Sequence, residues 1–238
     1  MDISIDSNVE FEMVKLPSKG ECYVSKITEL PVAYLTASDE NIITSATLIN
    51  NRTMCDVLLN KKIVDKSFDI NKLCIADRSA ILLWLRMNGY GNVYSYINSE
   101  GKIVEVDLST VIFTDFNEKG DEKGHFKLSS KSGYNLIYRL LTHKDENEIL
   151  SYIEEYNKNI LNGEKEVTEK EYYINVTRKL LSYHIVFIEG YGKNVKKCLN
   201  NMDFKTLKTI SEEIKSLTPN VVCDFEINEY LFSDIIGI

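Results

Sequence analysis

The sequence predicts an α+β fold in which antiparallel hairpins pack with several short helices, in mixed order along the chain. Two pairs of β-prone runs are each separated by a short glycine-containing segment, at 100–101 and at 129–133, which is the pattern of hairpins. Two longer segments, 145–161 and 203–217, repeat apolar residues at spacings of three and four, which indicates amphipathic helices.

The N-terminal elements are predicted from one strand pattern and two short helix patterns. Residues 9–16 alternate imperfectly between apolar and polar types and lead into a Pro-Ser-Lys-Gly turn. Ser38, with two acids behind it, is the expected cap of a helix over 39–46, because its oxygen can accept free amide hydrogens. A second short helix is expected over 51–60, with Asn51 as a possible cap.

The most telling segment of the sequence is 77–94. Residues 77–88 form its most apolar part, so a helix there should be buried on most sides. Gly89 stands where a left-handed cap would end this helix. Residues 90–97 then have the pattern of a strand, and its run 94–97 is expected to form a hairpin with 103–108.

A charged, glycine-punctuated stretch at 117–124 is the predicted exposed loop or boundary between lobes. We therefore expect an N-terminal lobe, 1–116, that contains the 77–94 helix and turn with the hairpin behind it. A C-terminal α+β lobe, 117–238, would follow, either as a separate unit or sharing one core with the first.

The second lobe should alternate between strands and helices. Its predicted elements are a hairpin of 126–128 with 134–140, a helix at 145–161, a helix at 172–181, a strand at 183–188, helices at 194–200 and 203–217, and a strand at 221–227. Asp203 is the expected cap of the last helix, and Pro219 should end it. The final residues, 230–238, are apolar enough to require a docking groove or a partner.

Composition argues against several classes of function. With 36 acidic and 28 basic residues the net charge is -8, which disfavours extensive binding to nucleic acid or to anionic membranes. The two densest lysine clusters, 61/62/66 and 193/196/197, are short enough to be ordinary solvated faces. Fourteen tyrosines and nine phenylalanines in an acidic chain favour protein interfaces over base stacking.

The cysteines and the N-terminus predict a cytoplasmic protein. Five cysteines, odd in number and widely scattered, make a poor disulfide framework and fit a reducing compartment. No apolar run approaches the roughly 18 residues of a membrane span, and the first ten residues are acidic, unlike a secretion signal.

Motifs for catalysis, cofactors or metals are weak. No phosphate-binding glycine loop is present, and neighbouring cysteines are at least nineteen positions apart, too far for zinc-ligand pairs. His125, His143 and His184 stand in no catalytic motif, and the last two fit a helix start and a strand edge. We therefore expect no enzyme activity, no cofactor, no metal and no small-molecule substrate.

Several short pieces of sequence, in order, together resemble the baseplate hub proteins of T-even bacteriophages, a family that includes a hub subunit and a hub assembly factor. These pieces are Leu16-Pro17-Ser18-Lys19-Gly20-Glu21-Cys22-Tyr23, Asp39-Glu40-Asn41-Ile42-Ile43-Thr44-Ser45, Leu48-Ile49-Asn50, Asp56-Val57-Leu58-Leu59, Asp77-Arg78, Leu85-Arg86 and Tyr90-Gly91-Asn92-Val93-Tyr94. Beyond Val93 the likeness is looser. The zinc-ribbon-like cysteine pair of many relatives is absent from 96–101, so the metal is not carried over.

The resemblance implies a component of the phage baseplate hub, or a hub assembly factor, that acts through protein binding. Its partners would be other tail or hub proteins. It would reside in the host cytoplasm during assembly and, as a subunit, in the baseplate of the virion. The alternatives are a transient tail assembly chaperone absent from the mature virion and a nucleic-acid-binding accessory protein.

Two arginines on the apolar helix, Arg78 and Arg86, need carboxylates or carbonyls as partners if they are buried. Eight positions apart, they should lie on nearly one helix face. One interpretation is architectural, in which they clamp neighbouring loops through Asp39 or Asp77.

The other interpretation is functional. Arg78 and Arg86 would then join Tyr90 and Tyr94 in a patch that faces a partner, since arginine and tyrosine are enriched at protein interfaces. These four residues are the predicted partner-binding site.

Overall fold

The structure, a computed structural model, describes residues 9–98, 100–163 and 166–222. The α+β class is confirmed: this part of the chain contains eight α-helices and antiparallel sheets of two or three strands. It divides into a first unit, 9–20 with 27–115 and 219–222, and a second unit, 21–26 with 116–218. Compared with the predicted lobes, residues 21–26 belong to the second unit and residues 219–222 belong to the first. Within the described ranges no helix is long and apolar enough to cross a membrane.

The first unit opens with an antiparallel pair, β1 (Phe11–Lys15) and β2 (Glu29–Ala33). The predicted strand at 9–16 is confirmed, whereas β2 was not predicted because Pro31 interrupts the pattern. Pro31 faces Met13 at a position where the ladder between the two strands uses no N–H group. On the edge of β2 that faces away from β1, the Pro31 carbonyl accepts a hydrogen bond from Val64 N (2.9 Å). A proline is therefore tolerated in this strand.

Short helices follow β2: a 3₁₀ turn at Ala37–Asp39, then α1 (Glu40–Ile43), α2 (Ala46–Asn50) and α3 (Met54–Lys62). The single helix predicted over 39–46 is wrong, because the chain breaks at Thr44 and restarts with Ser45 as the cap of α2. Thr36, rather than Ser38, caps the first turn through a capping box with Asp39. Asn51 ends α2 instead of starting α3.

The apolar segment forms α4 (Ile75–Tyr90), with Ile81, Leu82 and Leu85 fully buried. Gly91, at φ +82°, ends the helix, so the predicted stop at Gly89 is wrong by two residues. Gly89 serves packing instead: a Cβ at this position would lie 2.5 Å from Leu35 Cδ1.

The predicted hairpin is confirmed as β3 (Val93–Ile97) and β4 (Ile103–Asp107). Its inner face packs on α4, where Tyr94, Tyr96 and Val104 surround a small core that includes Leu83. A further antiparallel pair, β5 (Ile112–Phe113) with β9 (Val221–Val222), completes the first unit. Residues 223–227 of the predicted last strand, and the apolar end 230–238, lie outside the described residues.

The second unit is built on a three-stranded sheet. Its strands are β6 (Phe126–Ser129), β7 (Asn135–Tyr138) and β8 (Ile185–Ile188), in the order β6-β7-β8, and its helices are α5 (His143–Leu161), α6 (Glu169–His184), α7 (Val195–Asn201) and α8 (Phe204–Ser216). The predicted second hairpin and all four helices are confirmed. Asp203 caps α8 by accepting from Thr206 N, as expected.

The predicted loop at 117–124 packs against 21–26 on one side. A Cβ at Gly124 would overlap the carbonyl oxygen of Cys22, and Gly120 approaches Glu21 O in the same way. The Glu21 carboxylate also accepts hydrogen bonds from Lys119 Nζ (2.8 Å) and Gly120 N (3.2 Å). Residues 117–124 are thus held in the second unit by close backbone contacts and hydrogen bonds.

Candidate functional site

The last turn of α4 and the start of β3 bring three of the four predicted residues together. The Arg86 guanidinium carbon lies 5.0 Å from the ring centroid of Tyr90 and 5.9 Å from that of Tyr94. Its Nη1 donates a hydrogen bond to Gly91 O at 3.2 Å. The guanidinium is therefore held by two aromatic rings and one carbonyl.

Local structure explains this grouping. Arg86 and Tyr90 are four residues apart on one helix, so their side chains lie one above the other. Gly91 then reverses the chain with a positive φ that a side chain would strain, and β3 returns Tyr94 to the same place.

The charge on Arg86 is only partly neutralised by its surroundings. Among the described residues no carboxylate forms an ion pair with it, and its Nε is buried without a hydrogen-bond partner. Burial lowers the pKa of Arg86, although a guanidinium stays protonated in a protein. A group of this kind gains from a carboxylate or carbonyl supplied from outside.

Tyr90 contributes a second fixed polar group. It is 36% exposed, and its hydroxyl donates to Glu40 Oε1 at 2.7 Å. Partial burial, and then this hydrogen bond, raise the pKa of Tyr90 to about 12, so the hydroxyl stays a donor at neutral pH.

Arg78 is not part of this group. It lies two helical turns away, about 12 Å along the axis, and its Nη2 pairs with Asp56 Oδ1 on α3 at 3.4 Å. The predicted patch of four is therefore divided. The architectural interpretation describes Arg78, and the carboxylate that it pairs with is Asp56.

Asp39 is buried among lysines. It forms ion pairs with Lys61 Nζ (2.6 Å) and Lys62 Nζ, and accepts from Thr36 N (2.7 Å) and Oγ1 (2.9 Å). Burial alone would raise the pKa of Asp39, but the two lysines and Thr36 outweigh it and hold that pKa at about 2. Lys62, only 4% exposed, also donates to Tyr34 O, so its predicted place on a solvated face is wrong.

Asp77 anchors the Pro-Ser-Lys-Gly turn. It accepts from Ser18 N at 2.8 Å and from Ser18 Oγ at 2.6 Å, and both residues are fully buried. This contact spans 59 positions of sequence and attaches the first turn of α4 to the loop after β1. Its role is architectural.

Each of the three histidines has a ring nitrogen near an acidic side chain or a backbone carbonyl. His143, the first residue of α5, has Nδ1 3.1 Å from Glu146 Oε2. His184, the last residue of α6, has Nδ1 3.0 Å from Arg139 O, and burial lowers its pKa. His125 Nδ1 lies 3.9 Å from Asp121 Oδ2.

Two further surface features were missed by sequence reasoning. On the outer face of the hairpin, Ile97 and Ile103 are paired across the strands and are 71% and 74% exposed. In the second unit, Lys179 Nζ lies 5.0 Å from the ring centroids of both Tyr152 and Tyr183. The four-residue spacing of Lys179 and Tyr183 on one helix was the available signal for the second feature.

The group of Arg86, Tyr90 and Tyr94, hereafter the Arg86 site, presents one guanidinium cation at a partly exposed edge of the first unit, beside a tyrosine hydroxyl that donates its proton to Glu40. The guanidinium suits recognition of an acceptor on another molecule. No family model, no curated protein and no solved structure matches the chain.

Proposed function

We propose that this chain is a non-catalytic component of a phage tail baseplate hub, or a factor in hub assembly, and that it acts by binding other tail proteins. The observation that carries the proposal is the Arg86 guanidinium, which lies over the rings of two tyrosines and has no ion-pair partner among the described residues. Arginine and tyrosine in such a setting are the residue types that dominate binding energy at protein interfaces.

The geometry of the Arg86 site favours binding to a carboxylate or carbonyl. The rings of Tyr90 and Tyr94 restrict the guanidinium before binding, so less side-chain entropy is lost when a partner arrives. The remaining N–H groups can then form charge-assisted hydrogen bonds, which are stronger than neutral ones.

The class of partner comes from the sequence resemblance to baseplate hub proteins. A permanent hub subunit would remain in the virion, whereas a tail assembly chaperone would act in the host cytoplasm and leave. Mass spectrometry of purified virions separates these two versions, because only the subunit would be present in mature particles.

A capture experiment tests the proposal. The chain is immobilised and exposed to the tail proteins encoded in the same genome, and bound proteins are identified. We expect Arg86→Ala to weaken capture of a hub protein by about 30-fold or more, the effect of losing a residue worth about 2 kcal/mol. Arg86→Lys should recover little, because lysine cannot stack and donate in the same plane.

Arg78→Ala is the matched control. It removes an arginine from the same helix, but one that pairs with Asp56 inside the first unit, so stability should fall while capture is kept. Failure of the unaltered chain to bind any tail protein would contradict the proposed function. If Arg86→Ala and the unaltered chain capture the partner equally well, the Arg86 site is not the binding site.

A further inference from the structure

The register of the β3–β4 hairpin determines which backbone groups face outward. Leu108 N donates to Asn92 O (2.7 Å) at one end of the hairpin, and Asn98 N donates to Lys102 O (2.9 Å) at the other. In an antiparallel pair, hydrogen-bonded and non-hydrogen-bonded positions alternate. The even-numbered residues of β3 therefore bond across to β4.

The odd-numbered residues of β3, Val93, Ser95 and Ile97, consequently point their N–H and C=O groups away from β4. Within the described ranges no hydrogen bond reaches these groups. Val93 is 57% exposed, Ile97 is 71% exposed, and Ser95 between them is exposed. The strand thus has an open hydrogen-bonding edge about 17 Å long.

The two edges of the hairpin differ in charge. The outward positions of β4 include Glu105 and Asp107, and exposed charges of this kind are a common protection against strand pairing. The β3 edge has no charged residue and no proline, and it combines β-branched and aromatic side chains.

We propose that β3 pairs antiparallel with β3 of a second copy of this chain, about a two-fold axis at Ser95. The two hairpins then form one four-stranded sheet in the order β4-β3-β3-β4. This inference concerns self-association and is independent of the proposed function.

The β3 sequence is self-complementary in this arrangement. Val93 lies opposite Ile97 of the second copy, and Tyr94 lies opposite Tyr96, so apolar meets apolar and ring meets ring. Ile97 then stands between its own neighbour Ile103 and Val93 of the second copy, which shields aliphatic groups now in water. The equivalent pairing through β4, centred on Glu105, would place two carboxylates side by side.

Sedimentation equilibrium of the full chain tests the pairing. An interface this small is expected to be reversible, so the mean mass should rise from 27.3 kDa towards twice that value. The concentration range runs from about 1 to 300 µM, which covers weak association. Ser95→Lys places two ammonium groups at the axis and should weaken association at least about tenfold.

Glu105→Lys is the matched control, because Glu105 faces Ser95 across the same hairpin but belongs to the other edge. It should leave association unchanged. A chain that stays monomeric throughout, which is also the outcome if another protein supplies the added strand, overturns the proposal. So does a dimer that survives Ser95→Lys.

A cross-link keeps the proposal falsifiable if Ser95→Lys impairs folding. In a hydrogen-bonded antiparallel pair the two Cα atoms lie about 5.5 Å apart, within the reach of a disulfide. Ser95→Cys should form a covalent dimer on mild oxidation, whereas Glu105→Cys and the unaltered chain should not. Equal cross-linking of the two variants would refute pairing at this axis.

Discussion

Replacing Asp39 with asparagine should destabilise the first unit by about 3 kcal/mol, because it leaves the buried Lys62 ammonium without its counter-charge. Asparagine has nearly the same shape and can still accept from Thr36, so the change removes charge with little loss of packing.

Two independent considerations give this magnitude. A carboxyl whose pKa is held at about 2 instead of its ordinary 3.8 contributes about 2.5 kcal/mol to folding at neutral pH. Removing one partner of a buried ion pair typically costs about 3–5 kcal/mol. With a urea dependence of about 2 kcal/mol per molar, the unfolding midpoint should fall by about 1.5 M.

Trp84, the single tryptophan, makes fluorescence a suitable assay. Its ring lies 5.1 Å from that of Tyr34, whose carbonyl accepts from Lys62, so its emission reports on the unit that contains Asp39. Lys61→Met is the comparison variant: the Lys61 side chain is 42% exposed, and its loss should cost less than about 1 kcal/mol.

The same carboxyl predicts a dependence on pH. Its pKa is lower in the folded chain than in the unfolded one, so its contribution is complete above about pH 5 and is lost as pH falls through about 2. The stability gap between the unaltered chain and Asp39→Asn should therefore narrow between about pH 4 and pH 2. If Asp39→Asn lowers stability by less than about 1 kcal/mol at pH 7, or if the stability difference between the two chains does not change with pH, the reasoning is refuted.

Three further predictions concern the second unit, with circular dichroism during urea unfolding as the measurement. Gly124→Ala should cost at least about 3 kcal/mol, because its Cβ would overlap Cys22 O, whereas Gly133→Ala, also at positive φ but in open space, should cost only about 1 kcal/mol. Equal costs would rule out the steric explanation. Thr142→Ala should remove the capping box of α5 and about 1 kcal/mol, and Thr142→Ser should restore most of it. Phe126→Ala, at a site 1% exposed, should cost about 3–5 kcal/mol, and a loss under about 1 kcal/mol would contradict its place in the core.

Elements with strong local signals were predictable from the sequence. The β3–β4 hairpin follows from two β-prone runs around a glycine turn. Helices α5 and α8 follow from their apolar spacing, and α8 also from its cap, Asp203. β2 was missed because proline normally argues against a strand, and only the pairing register reveals that Pro31 needs no N–H there. The end of α4 was predicted at Gly89, two residues too early. A glycine occurs at this position because Leu35, which is distant in sequence, packs against it.

The same distinction holds for the site. Arg86, Tyr90 and Tyr94 could be grouped from sequence because eight positions and one turn connect them. The Arg78 partner could not, since Asp56 is 22 positions away and other carboxylates were equally plausible. Long-range polar contacts of this kind depend on tertiary packing, which periodicity does not encode.

Residues 21–26 and 219–222 determine when each unit can be completed during synthesis. Residues 21–26 leave the ribosome early, yet they pack on a loop made about a hundred positions later. The first unit likewise receives β9 only after the whole second unit has been made. The first unit therefore lacks β9 as long as only the N-terminal part of the chain has been made. Cutting the chain near residue 116 would separate the first unit from β9 and the second unit from residues 21–26. Expression as two halves would need each missing piece to be supplied in trans.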